Sequence, residues 1–234
     1  MGQIILIRHG QASFGAEDYD CLSALGVGQS ERLGEWFAQC GLRVGCVVTG
    51  PMQRHRQTAE ACMARLSAID VSAWQTFDGL AEYDHQDVLS RHRPDLTDGP
   101  AINAFLATSI DARRSFQRVF AEAIHRWVAG HHDSEYVESW STFRRRVLDA
   151  LEQLAARNTE GDTLVFTSGG PISVICQHLL EAPEAKATEL SFVLANCSVT
   201  RLAVRSGRVS LASFNNFSHL ETGLSDGANL VTYR

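Results

Sequence analysis

The chain has 234 residues, 44% of them hydrophobic and 21% charged, with 21 Lys and Arg against 27 Asp and Glu for a formal net charge of -6. That length is enough to bury a core without metals or disulfides. An acidic chain with no extended basic tract is poorly suited to tracking a nucleic acid backbone or an anionic membrane, and no stretch approaches the roughly 18 apolar residues of a membrane span. The six cysteines are scattered without a CxxC pair and read as free thiols. The apolar run at residues 4–7 is too short for a signal-peptide core, so a cytoplasmic location is expected.

Short apolar runs at residues 3–7, 44–49 and 163–167 each precede a helical pattern. This predicts an α/β fold: a three-layer α/β/α sandwich with a mostly parallel central sheet. The first run passes through a polar loop, residues 10–23, into a helix carrying Leu25, Gln29, Leu33, Trp36 and Phe37. The second passes into a helix read over residues 51–66, with Pro51 in its first turn. Residues 88–141 are polar and His-rich, with helical patches at Phe116, Val119, Phe120, Ile124 and Trp127. They are predicted to form a helical cap inserted over one end of the sheet, within a single domain spanning 1–234. An amphipathic helix follows over residues 142–156, with Phe143, Val147, Leu151 and Leu154 on its apolar face. Trp127, Tyr136 and Trp140 are read as packing between cap and sheet. Gly169-Gly170-Pro171 opens another helix, reaching Leu180. Residues 198–204 and 208–214, joined at Ser206-Gly207, read as a β-hairpin, and a Gly-rich polar tail follows Leu220.

In open α/β sheets, ligands bind beyond the carboxyl ends of the strands. The residues leaving the three strands are Arg8-His9-Gly10, Gly50-Pro51-Met52-Gln53-Arg54 and Ser168-Gly169-Gly170. Two arginines, one histidine and glycine-opened helix N-termini with free backbone N–H groups suit a phosphoryl group. Positive charge on either side of His9 favours the neutral imidazole, whose free nitrogen can attack phosphorus. Glu82, in Leu80-Ala81-Glu82-Tyr83, follows residues 74–77 closely enough to reach the same edge. A bound phosphate dianion would raise its pKa, as a general acid requires.

Ile7-Arg8-His9-Gly10 resembles the signature of the histidine phosphatase superfamily, the phosphoglycerate mutase-like family. Leu22-Ser23-Ala24-Leu25-Gly26 with Gln29 is similar to that family's loop into its first helix. Pro51-Met52-Gln53-Arg54 with Gln57-Thr58-Ala59 is similar to its second arginine motif, and Leu80-Ala81-Glu82 to its proton-donor segment. Glu138-Ser139 with Phe143 and Arg146-Val147 resembles the helix after the cap, and residues 196–199 and His219-Leu220 fit the C-terminal strands. The matches keep the family's order over nearly the whole chain. The resemblance implies that His9 is the phosphorylated nucleophile, that Arg8 and Arg54 bind the phosphoryl group and that Glu82 is the acid; Ser168 and Gly169, leaving the third strand, are further phosphate-binding candidates. No metal or organic cofactor is implied. The expected activity is a phosphomonoesterase acting on a small phosphorylated metabolite or phosphoprotein, with a homodimer as the common oligomeric state for such a chain.

Three departures stand out. The family usually carries His-Gly after its third strand, where this chain has Ser168-Gly169. A neutral serine in place of a charge-assisted donor could cost about 2 to 4 kcal/mol of transition-state stabilisation, so a slower or narrower phosphatase is expected. The alternative is a catalytically impaired protein that binds a phosphorylated ligand. Gln11-Ala12 and Gly15 stand where the mutases of the family carry Glu-Ser and a substrate-touching asparagine, which makes a mutase a third reading behind hydrolysis. Tyr83-Asp84-His85 replaces a glycine-containing turn, and His85 is a candidate to stand in for the missing histidine. Gln11, Ser13, Phe14 and His85 are the substrate-loop candidates, with Tyr19 beside Phe14 at the entrance.

Ser168 has two other readings: an N-cap for the next helix, and the nucleophile of a Ser168, Glu184, His219 hydrolase. The second fails the nucleophile-elbow pattern, because Phe166 occupies the position that requires glycine. His131-His132 with Asp133 reads as solvated rather than as a metal site. His55, His92, His125 and His178 are assigned no role.

Overall fold

A computed structural model describes residues 2–13, 20–66, 73–108, 111–157, 161–205, 207–221 and 230–233. Among the described residues, six strands form one sheet in the order β3-β2-β4-β1-β5-β6: β1 (Gln3–Arg8), β2 (Val44–Thr49), β3 (Gln75–Thr76), β4 (Asp162–Thr167), β5 (Val199–Arg205) and β6 (Arg208–Asn216). The first four in this spatial order are parallel; β5 pairs antiparallel with β1, and β6 antiparallel with β5. The chain is therefore α/β with a mostly parallel sheet.

The structure divides into two compact units, residues 1–82 with 147–234, and Tyr83–Arg146. In the first unit, Ile5 and Ile7 of β1 and Leu164 and Phe166 of β4 share a core with Leu33 and Phe37 of helix α1 (Ala24–Gln39). Ala59, Cys62 and Met63 of α2 (Gln53–Met63) complete that side. Alternation along the strand sends Ile4, Leu6 and Val165 to the other face. They are equally buried, and α7 (Gly169–Leu179) contacts β1. Burial on both faces is why these strands read as continuous apolar runs.

Helix α2 begins at Gln53, so Pro51 lies outside it rather than in its first turn. Met52 occupies the N-cap position and offers no side-chain bond. The carboxylate of Asp20 instead accepts the Gln53 N–H at 2.8 Å, a cap supplied from far along the sequence. Ser23 caps α1 conventionally, its hydroxyl accepting the Gly26 N–H at 3.0 Å.

The second unit holds α3 (His85–His92), α4 (Gly99–Thr108), α5 (Ala112–Val128) and the first residues of α6 (Trp140–Ala155); α8 (Ala185–Val193) follows α7 in the first unit. Its interior is aromatic: Trp127 meets Trp140 edge-on at 5.2 Å, with Phe143 and Tyr83 also against Trp127. Trp127, Tyr136 and Trp140, expected to pack between cap and sheet, all belong to this unit and are buried, Trp127 against Trp140. Glu138 and Arg146 form a bidentate ion pair at 2.6 and 2.9 Å. All six cysteines are free, and no helix among the described residues is long and apolar enough to cross a membrane.

Candidate active site

The carboxyl ends of β1, β2 and β4 share one edge of the sheet because the three strands are parallel neighbours. Backbone bonds continue past the strands: His9 N–H donates to the Thr167 carbonyl at 2.9 Å and Gly50 N–H to the Phe166 carbonyl at 2.9 Å. On the other side of β1, Asn196 donates its side-chain N–H to the His9 carbonyl at 3.0 Å. Gly10 is held by its N–H to the Thr58 hydroxyl at 3.0 Å. No larger residue fits there, since a Cβ on Gly10 would lie 2.4 Å from the Gly26 carbonyl. The backbone at His9 and Gly10 is thus held by β4, by α2 and by the turn before β5.

The ring is fixed as well. His9 is 6% exposed; its Nδ1 lies 2.7 Å from the Gly10 carbonyl, and Arg54 Nε donates to its Nε2 at 3.2 Å. A carbonyl accepts and a guanidinium donates, so Nδ1 carries the proton and Nε2 the lone pair. Burial holds the His9 pKa well below the ordinary imidazole value, reinforced by Arg54, Arg8 and His55 and opposed by the Gly10 carbonyl. The group is a neutral imidazole aimed through Nε2.

Arg54 is buried at 3% exposure and pairs with the carboxylate of Asp20 at 2.7 Å. One carboxylate therefore both caps α2 and anchors the guanidinium in its first turn. Arg8 donates to the Leu194 carbonyl, and its Nε lies 3.7 Å from where a Cβ on Gly169 would be. Glu82 accepts the Gly170 N–H through Oε2 at 3.1 Å, so this carboxyl sits at the N-terminus of α7. Arg8, Gly169, Gly170 and Glu82 thus meet at that helix end.

Ser168 occupies the N-cap position of α7 but makes no capping bond, which removes the simple N-cap reading. Its hydroxyl lies 2.6 Å from Nε2 of His55, and both residues are fully buried. His55 follows Arg54 directly on α2, and its ring is 5.8 Å from that of His9. Burial and the Arg54 charge lower its pKa to about 3, so it is neutral. Sequence reading assigned His55 no role, and the structure brings it against Ser168. The available signal was its place one residue after the anion-binding arginine in a chain whose position 168 lacks an imidazole.

The other candidates fall as follows. Gln11 is engaged in pinning the loop: its N–H donates to Gln29 at 2.8 Å and its side-chain oxygen accepts from Ser23 at 2.9 Å. Ser13 donates its N–H to the Cys21 carbonyl at 2.8 Å. His85 opens α3 in the second unit, its ring 4.5 Å from Tyr83 and 6.0 Å from Phe120. Phe14, Gly15, Tyr19 and Ser206 lie outside the described residues. His219 stacks on Trp36 at 5.2 Å and takes no part in a triad with Ser168, whose histidine partner is His55. Among the described residues, no group of three His, Cys, Asp or Glu side chains is placed to hold a metal ion.

The family profile of the histidine phosphatase superfamily (branch 1) matches residues 4–217. The chain belongs to this superfamily. Several solved structures share its fold. A phosphoserine phosphatase mutant from Entamoeba histolytica, in complex with phosphoserine, is 18% identical with a TM-score of 0.62, covering 94% of this chain and 100% of that one. A phosphoglycerate mutase from Bacillus anthracis gives 17% and 0.63, covering 93% and 94%. The alpha-ribazole phosphatase from Shigella flexneri gives 16% and 0.61, covering 92% and 96%. At these identities the likeness is one of fold. No curated protein matches the chain.

Proposed function

We propose that the protein is a phosphomonoesterase that works through a phosphohistidine at His9. The observation that carries this reading is the pair of bonds on the His9 ring, Nδ1 to the Gly10 carbonyl and Nε2 to Arg54, which present a lone pair beside a guanidinium. A phosphoryl group entering here takes the Arg54 and Arg8 donors, and Nε2 attacks phosphorus. As the N–P bond forms and the P–O bond breaks, the ring gains positive charge, which the Gly10 carbonyl stabilises through Nδ1–H. Glu82 gives its proton to the departing alkoxide. Water then attacks the phosphohistidine, returning a proton to Glu82 and releasing inorganic phosphate. Positioning and charge stabilisation do most of the work in such transfers, and no step here calls on a metal.

The substrate class proposed is a small phosphorylated metabolite or phosphoprotein. Relatives of the same fold include phosphatases for phosphoserine and alpha-ribazole phosphate and a phosphoglycerate mutase, which sets the first compounds to try. A second reading, a phospho-ligand binder with impaired turnover, is favoured by the serine at position 168. Turnover of 4-nitrophenyl phosphate in EDTA, abolished by His9→Ala, supports the enzyme. Phosphate binding without turnover in either protein supports the binder, and interconversion of the monophosphoglycerates would support a mutase.

A further inference from the structure

We infer that His55, acting through Ser168, is a positioning residue of the phosphoryl pocket: helix α2 supplies an imidazole that orients the Ser168 hydroxyl toward the group carried by His9. The inference rests on the phosphoryl-transfer reading above.

Three observations carry it. The first is placement: Ser168 directly follows Thr167, whose carbonyl holds the His9 N–H, and His55 directly follows Arg54, which holds His9 Nε2. The two residues therefore come from the two elements that fix the nucleophile. The second is the bond itself, 2.6 Å between His55 Nε2 and Ser168 Oγ with both side chains out of solvent. The third is the seat made for the ring. A Cβ on Gly50 would lie 2.3 Å from His55 Nδ1 and 2.8 Å from the Leu80 carbonyl, so glycine at the end of β2 is what lets the imidazole in.

Counting protons gives the direction of the relay. A serine hydroxyl has one hydrogen, and it can donate to a phosphoryl oxygen only if its bond with His55 is one it accepts. A neutral His55 with its proton on Nε2 supplies that bond. That tautomer leaves Nδ1 as the acceptor; the Gly50 backbone beside the ring pulls the other way by raising the His55 pKa, but no hydrogen bond of normal geometry forms at Nδ1. Ser168 then points its hydrogen outward, polarised and held in one rotamer by the ring behind it. Burial and Arg54 oppose protonation of His55 and outweigh the Gly50 backbone, which favours it, so the arrangement persists through catalysis without a proton being exchanged.

The test uses the full chain with Ser168→Ala, His55→Leu, both together, and His55→Gln, which keeps an N–H donor near the position of Nε2. Two readouts are taken: kcat/KM for 4-nitrophenyl phosphate, and affinity for vanadate, a mimic of the pentacoordinate phosphorus in flight. Each single loss is expected to weaken both by about 10- to 100-fold. The double variant should lose no more than either single, because the two side chains act as one unit. His55→Gln should recover most of what His55→Leu loses. A Ser168→Ala protein within about 2-fold of the parent, losses that multiply, or a His55→Gln no better than His55→Leu would each overturn the inference. Ser168→Ala removes one buried oxygen, so the inference stays open to refutation even if His55→Leu fails to fold. If the parent binds vanadate through this pair yet turns over no phosphomonoester, the enzymatic reading fails and the positioning role stands. If it binds neither vanadate nor phosphate, both fall.

Discussion

Arg54 Nε donates to His9 Nε2 across 3.2 Å, so one guanidinium both selects the tautomer of the nucleophile and keeps it uncharged. Burial is the larger cause of its lowered pKa, with Arg54 next. In an NMR titration His9 should take up a proton only at a pH well below that of an ordinary imidazole. Arg54→Gln should raise the His9 pKa and lower kcat/KM by roughly 10²- to 10³-fold. An unmoved His9 titration would contradict the coupling.

Glu82→Gln separates acid catalysis from structure. The amide oxygen can still accept the Gly170 N–H, but no proton is available for the leaving group. With 4-nitrophenyl phosphate, whose leaving group needs little help, the loss should be small. With an alkyl phosphate it should reach about 10²- to 10⁴-fold. Equal losses on both substrates would show that Glu82 acts only by holding α7.

Asp20 competes with any incoming anion for Arg54, at 2.7 Å. Asp20→Asn keeps an oxygen to cap the Gln53 N–H and removes the negative charge. Inorganic phosphate should bind about 3- to 5-fold more tightly, the modest size reflecting a partly exposed carboxylate. Calorimetry at low and high salt reads it directly, and weaker binding would mean that Asp20 serves chiefly to aim Arg54.

Acid should destabilise the fold through its buried histidines. Burial lowers the His219 pKa from 6.5 to about 4. Between those values the unfolded chain binds a proton that the folded chain refuses. Stability is therefore full above about pH 6.5 and falls as the pH drops, by about 1.4 kcal/mol per unit for each such histidine. His219→Phe keeps an aromatic ring against Trp36 and removes this titration. The loss of unfolding free energy between about pH 7 and pH 5 should shrink by roughly 2 kcal/mol, measured by urea melts.

Two glycines of α1 should respond oppositely to Ala. Gly28 has nothing within 4 Å of a Cβ, so Gly28→Ala should add about 0.5 to 1 kcal/mol and raise Tm by roughly 1 to 4 °C. A Cβ on Gly26 would strike the Gln11 carbonyl at 2.2 Å, and Gly26→Ala should cost about 1 to 3 kcal/mol.

The parallel strands were legible because strands buried on both faces must be apolar throughout, as Ile4 to Ile7 and Leu164 to Phe166 are. The insertion of β4 between β2 and β1 was not, since pairing between distant segments leaves no local mark. The start of α2 is not at Pro51, as local pattern suggests, because its cap comes from Asp20, more than thirty residues earlier. Arg8, His9, Arg54 and Ser168 could be placed because each directly follows or ends a readable strand or opens a helix. His55 could not. On a helix-period reading it is merely the histidine of α2, and only Gly50 and Ser168, at the ends of β2 and β4, make its position meaningful.

Successive residues of a helix point about 100° apart, yet Arg54 and His55 are both buried, one bonded to His9 at the end of β1 and the other to Ser168 at the end of β4. One peptide unit of α2 thereby clasps two strands of the sheet. A tilt of that turn moves both side chains in a single motion, so backbone adjustment cannot loosen one grip while keeping the other. Leverage over that motion lies one residue upstream, where Asp20 holds the Gln53 N–H.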